Sequence, residues 1–264
     1  EGLAPSPTNQ TMASVSFQRF FRQVPVLAGV SGTVADAAAE LWRLYRRPVL
    51  AIAPHRPVRR IELPLCAARN DEEKWVQVVA SVHAARAAGQ PVLIGTRTVA
   101  ASERLSERLR AEGVPHALLN AVRNEAEAAV IAAAGHAGQV TIATNMAGRG
   151  TDIVPVESAL AVGGLRVIAT EGHRSTRVDR QLAGRCGRQG QPGVVERIWS
   201  WDDELLQHFV PRWLRELGRR RGGRRSLALA YRWAQFRAAR QDAQQRLAVL
   251  RQDQWLDDHL ALGG

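Results

Sequence analysis

Short apolar runs alternate with amphipathic stretches through the middle of the chain. The stretches between the runs place apolar residues every three or four positions, as Trp75, Val78 and Val82 do, which is typical of helices of about 10–15 residues. Five runs have the length of buried strands: residues 91–96, 116–120, 140–144, 165–170 and 195–201. Strands that alternate with helices pair into a parallel sheet that is covered on both faces. The pattern therefore predicts an α/β fold.

The first fifty residues have a less regular pattern. Four elements are predicted there: a helix over residues 11–24, a short buried strand over 27–33, a helix over 34–45 and a strand over 48–52. Prolines at positions 54, 57 and 64 then indicate an extended linker, because proline blocks helix and restricts the residue before it. We therefore divide the chain into four parts: residues 1–53, a linker at 54–69, a domain at 70–210 and a basic part at 211–264.

The last part of the chain predicts one long helix. Its apolar stripe has alternating spacings of four and three residues and is broken once by Arg240: Leu229, Trp233, Phe236, Ala243, Leu247 and Leu250. We interpret this stripe as a face that packs on a neighbouring element.

Positive charge is concentrated near the C-terminus. The formal net charge is +11, and residues 212–264 hold 12 arginines against 5 acidic residues. Such a patch suits nucleic acid, an anionic membrane surface or an acidic partner, and a solvated helix face explains it equally well. No apolar run approaches the roughly 18–20 residues that span a bilayer. Cys66 and Cys186 have no metal-ligand spacing, so we interpret them as reduced thiols.

Two glycine- and arginine-rich segments carry the candidate chemistry. The first, residues 144–153, follows a predicted strand, and its glycines allow a sharp turn. Arg149 offers a forked donor to phosphate or carboxylate, and Asp152 can accept from a ribose hydroxyl or from an arginine. Because ligands of parallel sheets bind beyond the carboxyl ends of the strands, this segment and the predicted helix over 175–188 should share one edge.

The second segment, residues 181–190, contains Arg185 and Arg188. On a helix, residues three apart point the same way, so we expect both guanidinium groups to face one point. Two like charges held close together favour a bound anion, and a triphosphate is a suitable ligand. An arginine that reaches a nucleotide from a second domain stabilises the charge that develops during phosphoryl transfer. A surface arginine pair without a ligand is the simpler alternative.

These segments resemble a known family. The run Gln-x-x-Gly-Arg-x-Gly-Arg at residues 181–188 is shared by superfamily-2 helicases and by SecA, the preprotein translocase ATPase. Residues 141–153 are more specific and resemble SecA nearly residue for residue. Residues 9–22, 27–33 and 170–179 are similar to SecA as well. The resemblance covers residues 1–210 well and residues 226–258 weakly.

The resemblance implies an architecture. It places the end of a first nucleotide-binding domain at residues 1–53 and a second domain, the RecA-like second motor domain of superfamily-2 helicases, at 70–210. A long C-terminal helix within 211–264 would begin the helical scaffold. The chain would then be the C-terminal portion of a divergent SecA-like protein.

The resemblance also implies a nucleotide site. Arg185 and Arg188 match the family's arginine fingers, which makes them the implied catalytic residues. The implied cofactor-binding residues are Arg149, Gly150, Asp152, Arg177 and Gln181. The implied cofactor is ATP, with Mg²⁺ held by the first domain and no metal ligand in this chain. The sequence contains neither a Gly-x-x-x-x-Gly-Lys-[Ser/Thr] loop nor an Asp-Glu-x-Asp box, so we predict that this chain alone does not hydrolyse ATP.

The implied function is that of the second motor half of an ATPase that moves preproteins across the cytoplasmic membrane. Its implied partners are a SecYEG-type channel and an unfolded preprotein, and an anionic membrane surface and a homodimer are compatible with it. The implied location is cytoplasmic and peripheral at the inner membrane. Two alternatives stay open: a fragment of a superfamily-2 nucleic-acid helicase, and an interaction module without catalysis. The match at residues 141–153 argues against nucleic acid as a partner.

Overall fold

The computed structural model describes residues 15–119, 127–144 and 151–260. The chain divides into two compact units, one formed by residues 52–239 and the other by residues 1–51 together with 240–264. The four parts of the chain were defined by sequence pattern and not by contacts, so their boundaries stay a prediction.

Within the described residues, the larger unit contains one sheet of seven strands. They are β1 (Arg59–Glu62), β2 (Cys66–Ala68), β3 (Val92–Thr96), β4 (Ala117–Leu119), β5 (Val140–Thr144), β6 (Leu165–Ala169) and β7 (Pro192–Ser200). The strand order is β1-β7-β6-β3-β5-β4, and β2 pairs with the later half of β7. Every pairing is parallel.

Ten α-helices lie in the described part of the chain. They are α1 (Phe17–Arg22), α2 (Ala38–Tyr45), α3 (Asp71–Ala87), α4 (Val99–Ala111), α5 (Glu127–Ala133), α6 (Glu157–Ala161), α7 (Thr176–Ala183), α8 (Glu204–Phe209), α9 (Arg212–Arg221) and α10 (Arg224–Leu260). Asn70 caps α3 by accepting a hydrogen bond from the Glu73 amide at 2.8 Å, as its position in the sequence predicts. The predicted parallel α/β fold with a long C-terminal helix is confirmed. None of the described helices is both long enough and apolar enough to cross a bilayer.

The alternation of side chains along each strand builds a core on both faces of the sheet. Ile94 and Ile142 pack with apolar residues of α3 and α4 on one face. Their neighbours Leu93 and Ala143 belong to the cluster on the other face, which includes residues of α5 and α7. The near-continuous apolar runs of the sequence follow from this, because both faces are buried.

A third apolar cluster joins α8, α9 and the start of α10 to the end of β7. Trp199 and Trp201 lie in it together with the buried side chains of Leu227, Tyr231 and Ala234. The predicted packing of the C-terminal helix on a neighbour is thus confirmed for this part of the helix.

The face of α10 that packs differs from the predicted one. Leu229, Trp233 and Phe236, which begin the predicted stripe, are exposed. The buried positions are offset from them, at residues 227, 230, 231, 234 and 238. Both sets satisfy helical spacing, and the aromatic residues of β7 and the loop after it select the second set through contacts that spacing does not reveal.

The predicted strands over residues 27–33 and 48–52 are wrong. Neither segment forms a strand, and most side chains in both are exposed. A strand is stable only when a neighbouring strand takes up its backbone hydrogen bonds. No described strand pairs with either segment, so their apolar character alone does not produce a strand.

The segment at residues 54–69 is extended, as its prolines predict, and it also contributes two strands. β1 pairs with the first half of β7, with Arg59 opposite Pro192, and β2 pairs with the second half, with Cys66 opposite Ile198. Both strands lie at the edge of the sheet. An edge position tolerates nearby prolines, because only one side of the strand needs hydrogen-bond donors.

The smaller unit contains α1, the turn at Ala35–Ala37, α2 and the last part of α10. The predicted helix over residues 34–45 is confirmed apart from its first turn, which is a 3₁₀ turn. The helix predicted over 11–24 is observed at Phe17–Arg22, and residues 11–14 lie outside the described part. Arg246 of α10 forms a two-pronged ion pair with Glu40 of α2.

A buried ion pair joins the elements of the larger unit. Lys74 of α3 donates to Asp203, at the start of α8, over 2.6 Å, and both side chains are almost fully buried. The same carboxylate accepts from the Tyr231 hydroxyl of α10 and, at 2.9 Å, from the Ser200 amide at the end of β7. Lys74 also pairs with Asp71 at 2.9 Å.

Burial shifts the pKa values of Lys74 and Asp203 in opposite directions. Burial lowers the pKa of Lys74, but the carboxylates of Asp203 and Asp71 outweigh it, and the pKa is raised. Complete burial raises the pKa of Asp203 even though Lys74, Tyr231 and the Ser200 amide favour its charged form. The pair is therefore stabilised only while both partners are present.

Removing one partner of this pair should be costly. We expect Lys74→Met to lower the free energy of unfolding by about 3–5 kcal/mol, because it leaves the Asp203 carboxylate buried without its counter-charge. Urea denaturation followed by circular dichroism measures this. Glu72→Gln is the control: it removes the exposed Arg108–Glu72 pair and should cost less than about 1 kcal/mol. Equal losses in the two variants would contradict the role assigned to the buried pair.

Candidate functional site

The described parts of the two glycine- and arginine-rich segments follow strands at the carboxyl edge of the sheet, where parallel sheets bind ligands. The segment that ends with Thr151 and Asp152 follows β5, which ends at Thr144. Helix α7, which leads into the second segment at residues 181–190, follows β6, which ends at Ala169. β5 and β6 are both neighbours of β3, so the two segments leave the sheet two strands apart.

Helix α7 presents two of the predicted cofactor-binding residues. Its first turn is capped by Ser175, whose hydroxyl accepts from the Arg177 amide at 3.3 Å. Arg177 and Gln181 are four residues apart in this helix and therefore lie on one face. The Nε atom of Arg177 is buried and has no hydrogen-bond partner in the described part of the chain.

The expectation that Arg185 and Arg188 share one helix is wrong. Helix α7 ends at Ala183, and Arg188 instead begins a short 3₁₀ turn. Between the end of α7 and Arg188 the chain changes direction at Gly187, whose φ of 67° lies in the left-handed region. A Cβ at this glycine would be 2.7 Å from the Cβ of Arg60 in β1, so a glycine is required for close approach as well.

The two arginines nevertheless converge on one place. Nη1 of Arg185 donates to the carbonyl oxygen of Thr151 at 3.2 Å. Nη1 of Arg188 donates to Oδ1 of Asp152 at 2.8 Å, and its Nε donates to the Gly184 carbonyl at 2.9 Å. The prediction that the two segments share one edge is confirmed, although a turn and not a helix brings the arginines together.

The Asp152–Arg188 pair is partly open to solvent. About 39% of the Asp152 side chain and 36% of the Arg188 side chain are exposed. An ion pair at this level of exposure contributes little to stability, on the order of 0–1 kcal/mol. Arg188 can therefore exchange this carboxylate for another anion at small cost to the fold.

Two predicted site residues, Arg149 and Gly150, lie outside the described residues. Their roles, like those of Asp152, Arg177, Gln181, Arg185 and Arg188, stay a prediction. Among the described residues, no group of three or more His, Cys, Asp or Glu side chains is arranged to hold a metal ion.

Sequence reasoning missed a polar network that fixes the start of α7. Asp179 accepts from the backbone amide and from Nδ1 of His173, at 2.9 and 2.6 Å. Gln235 of α10 donates to the other Asp179 oxygen at 2.7 Å and to the His173 carbonyl at 2.9 Å. Gln235 is 56 residues from Asp179 and 62 residues from His173 in the sequence. Its buried position on a helix distinguishes it from other glutamines, and the sequence does not report that position.

Two further groups, Glu171 and Cys186, have shifted pKa values. Burial raises the pKa of the Glu171 carboxyl, and the Asp203 carboxylate adds to the rise. Arg97, at the end of β3, lies 3.9 Å from Glu171 and also pairs with Glu204. Burial raises the pKa of the Cys186 thiol to about 11, so this cysteine between the two arginines is a neutral, packed side chain at physiological pH.

The arrangement can bind an anion at the sheet edge. Arg185 and Arg188 supply forked donors, and Arg177 adds a buried donor that lacks a partner. Asp152 supplies an acceptor that can hold a guanidinium group or a hydroxyl. No described residue of this site combines a nucleophile with a base, so the site is suited to charge stabilisation more than to covalent chemistry.

Comparison with known proteins identifies the family. The family model described as the SecA P-loop domain matches residues 57–159 and 154–222, which is well over half of the chain. The model of the SecA DEAD-like domain matches residues 1–42.

Individual relatives agree with the family models. Protein translocase subunit SecA 3 of Magnetococcus marinus is 43% identical over 271 aligned positions, which cover all of this chain and 41% of that protein. Protein translocase subunit SecA of Desulfovibrio desulfuricans is 45% identical over 209 positions, which cover 79% of this chain and 24% of that protein. Among solved structures, the E. coli DEAD-box protein SrmB bound to RraA aligns with a TM-score of 0.45 and 21% identity, over 61% of this chain and 87% of that one.

The chain thus spans about two fifths of the length of the first of these relatives. The predicted resemblance is confirmed by the two family models and by the identity to full-length SecA proteins. The chain belongs to the SecA family.

Proposed function

We propose that this chain supplies the second half of a nucleotide site and that Arg185 and Arg188 act on a phosphate held by another part of the protein. The observation that carries the proposal is the convergence of both arginines on Thr151 and Asp152, at the carboxyl edge of a parallel sheet. Guanidinium groups that converge on one place favour a bound anion there, because like charges repel when they are brought together.

The donor set fits a triphosphate. The Nε atom of Arg177 is buried and has no hydrogen-bond partner among the described residues, so a bound phosphate could satisfy it; an unsatisfied buried donor costs about 1–3 kcal/mol. Arg188 can leave the exposed Asp152 at little cost and turn to the nucleotide. Arg149, Gly150, Asp152 and Gln181 are the other residues that we propose for nucleotide binding.

Bound ATP would supply the phosphoryl group and the free energy of its transfer. In our proposal, this chain orients that nucleotide and stabilises the negative charge that develops on it, while the phosphate cradle and the Mg²⁺ ligands come from elsewhere. Arginine suits this task better than lysine, because its planar fork contacts two oxygens at once.

For the whole protein we propose the work of a SecA translocase. The complete ATPase would couple nucleotide binding and hydrolysis to the movement of unfolded preproteins through a SecYEG-type channel at the cytoplasmic membrane. The relatives named protein translocase subunit SecA support this proposal, as does the network that ties α7 to the long helix α10. Through that network, a change at the arginines would reach α10.

The isolated chain should not hydrolyse ATP. With Mg²⁺ and ATP present, we expect phosphate release no faster than in a buffer blank, because the sequence has neither the Gly-x-x-x-x-Gly-Lys-[Ser/Thr] loop nor the Asp-Glu-x-Asp box. A coupled phosphate-release assay measures the rate. If the isolated chain hydrolyses ATP and the Arg188→Ala variant does not, the proposal that this chain holds only half of a nucleotide site is wrong.

The second test restores the other half. This chain would replace the matching segment of the Magnetococcus marinus relative, to which it is 43% identical. In that chimera, Arg188→Ala should lower kcat for ATP hydrolysis by about 10³-fold or more, with little change in KM, because the arginine acts on charge that appears in the transition state. Arg188→Lys should lose most of the rate as well, since it lacks the fork.

Arg110→Ala is the matched control for this experiment. Arg110 is an exposed arginine on α4, far in sequence from the site, and its loss should leave kcat within about twofold of the parent chimera. A folded Arg188→Ala chimera that retains the parent kcat would exclude Arg188 as a finger. Equal losses in Arg188→Ala and Arg110→Ala would point to a general effect of charge.

A further inference from the structure

The turn that carries Arg188 has an unfavourable backbone conformation. We name residues 187–191 the arginine turn. Within it, Gly187, Gln189 and Gly190 have φ angles of 67°, 52° and 75°, all in the left-handed region. Among the described residues, Gln189 is one of only two with a side chain that have a positive φ. A residue with a side chain keeps this conformation only where neighbouring contacts hold it, so those contacts determine where the arginine of this turn points.

The extended segment that leads into β1 lies against the arginine turn at two points. A Cβ at Gly190 would be 3.0 Å from Cβ and 3.3 Å from Cδ of Arg56. A Cβ at Gly187 would be 2.7 Å from Cβ of Arg60. Between these two glycines, the carbonyl oxygen of Gln189 accepts a hydrogen bond from Nη1 of Arg56 at 3.4 Å. The segment therefore contacts every residue of the turn that has a left-handed backbone.

On its other side, the arginine turn is attached to the end of α7 and to β7. Nε of Arg188 donates to the Gly184 carbonyl at 2.9 Å, and the Gln191 amide donates to the Arg188 carbonyl at 2.9 Å. A Cβ at Gly193, the second residue of β7, would be 2.7 Å from the amide nitrogen of Gly187. The turn is thus held between β7 and the segment before β1, and a shift of that segment would change its shape.

The contact of Arg56 with the arginine turn is local in its effect. The side chain of Arg56 is exposed, and so is its hydrogen bond to Gln189. Exposed contacts of this kind contribute little to the free energy of unfolding of a whole domain. The two residues are 133 positions apart in the sequence, so the contact forms only in the folded chain. What Arg56 determines is therefore the conformation of the turn and not the stability of the sheet.

We propose that Arg56 is a positioning residue for Arg188. By packing on Gly190 and donating to Gln189, it holds the arginine turn in the conformation in which the Arg188 guanidinium group reaches Asp152. The proposal rests on the function proposed for Arg188, because the turn then presents that guanidinium group to a phosphate. Arg56 itself does not contact the phosphate in this proposal and acts only through the backbone of the turn.

Hydrogen exchange followed by mass spectrometry tests the contact on the chain itself. Arg56→Met keeps an apolar stem and removes the donor to Gln189, so amides of the arginine turn should exchange roughly 2- to 10-fold faster. Peptides from α4 should exchange at the parent rate, and the urea midpoint should not change. Arg59→Met is the matched control. Arg59 is exposed and points to the other face of β1 from Arg60, so its loss should leave exchange in the turn unchanged.

The Magnetococcus marinus chimera tests whether this contact acts on Arg188. There, Arg56→Met should lower kcat about fivefold with KM within about twofold, because a misplaced Arg188 weakens stabilisation of the transition state. Arg56→Lys should recover about half of the parent kcat or more, since its ammonium group can donate to the same carbonyl. Arg56→Met combined with Arg188→Ala should have the kcat of Arg188→Ala alone, because a residue that acts only through Arg188 has no effect without it.

Two outcomes would overturn the role of Arg56 and leave the function of Arg188 standing. One is the parent kcat in Arg56→Met while Arg188→Ala loses activity. The other is a double variant whose loss is the product of the two single losses, which would mean that Arg56 does not act through Arg188. The parent kcat in Arg188→Ala, together with faster exchange of the turn in Arg56→Met, would instead refute the function proposed for Arg188, and the positioning role would fall with it.

Discussion

The ammonium group of Lys74 and the carboxylate of Asp203 form the buried contact on which the larger unit depends. Asp203 also accepts from Tyr231 and from the Ser200 amide, so one carboxylate joins α3, the end of β7 and α10. Lys74 is the only lysine in the chain, and its charge is used entirely inside the fold. A buried ion pair of this kind stabilises only as a complete set, which makes the relative position of these elements sensitive to any single change.

The same region fixes the arginine segment. Gly172 lies against Tyr231, which holds the Asp203 carboxylate, and a Cβ there would be 2.6 Å from the tyrosine ring. One residue later, His173 contacts Asp179 of α7, and Gln235 of α10 contacts both. Helix α7 therefore starts from a rigid base, while its end opens into the turn that carries Arg185 and Arg188. A fixed start and a turning end are compatible with the role proposed above for Arg185 and Arg188.

Sequence patterns predicted most reliably the strands that are buried on both faces of the sheet and the features that depend on residues close together in the chain. The strands at 91–96 and 140–144 were correct because buried parallel strands need continuous apolar runs. The strands predicted at 27–33 and 48–52 failed, and β1 and β2 were missed, because pairing depends on a partner far along the chain. The prediction that Arg185 and Arg188 share a helix failed because α7 ends at Ala183 and Gly187 then takes a left-handed conformation.

The sequence by itself determined the family, the parallel α/β fold and the two segments that meet at the sheet edge. These follow from residue order, from apolar runs and from motifs that are continuous in the chain. Only the tertiary structure decided that Arg188 donates to Asp152 and that Gln235 donates to Asp179. The physical reason is that each contact joins residues 36 or 56 positions apart, and residue spacing does not report how distant parts of the chain pack against one another.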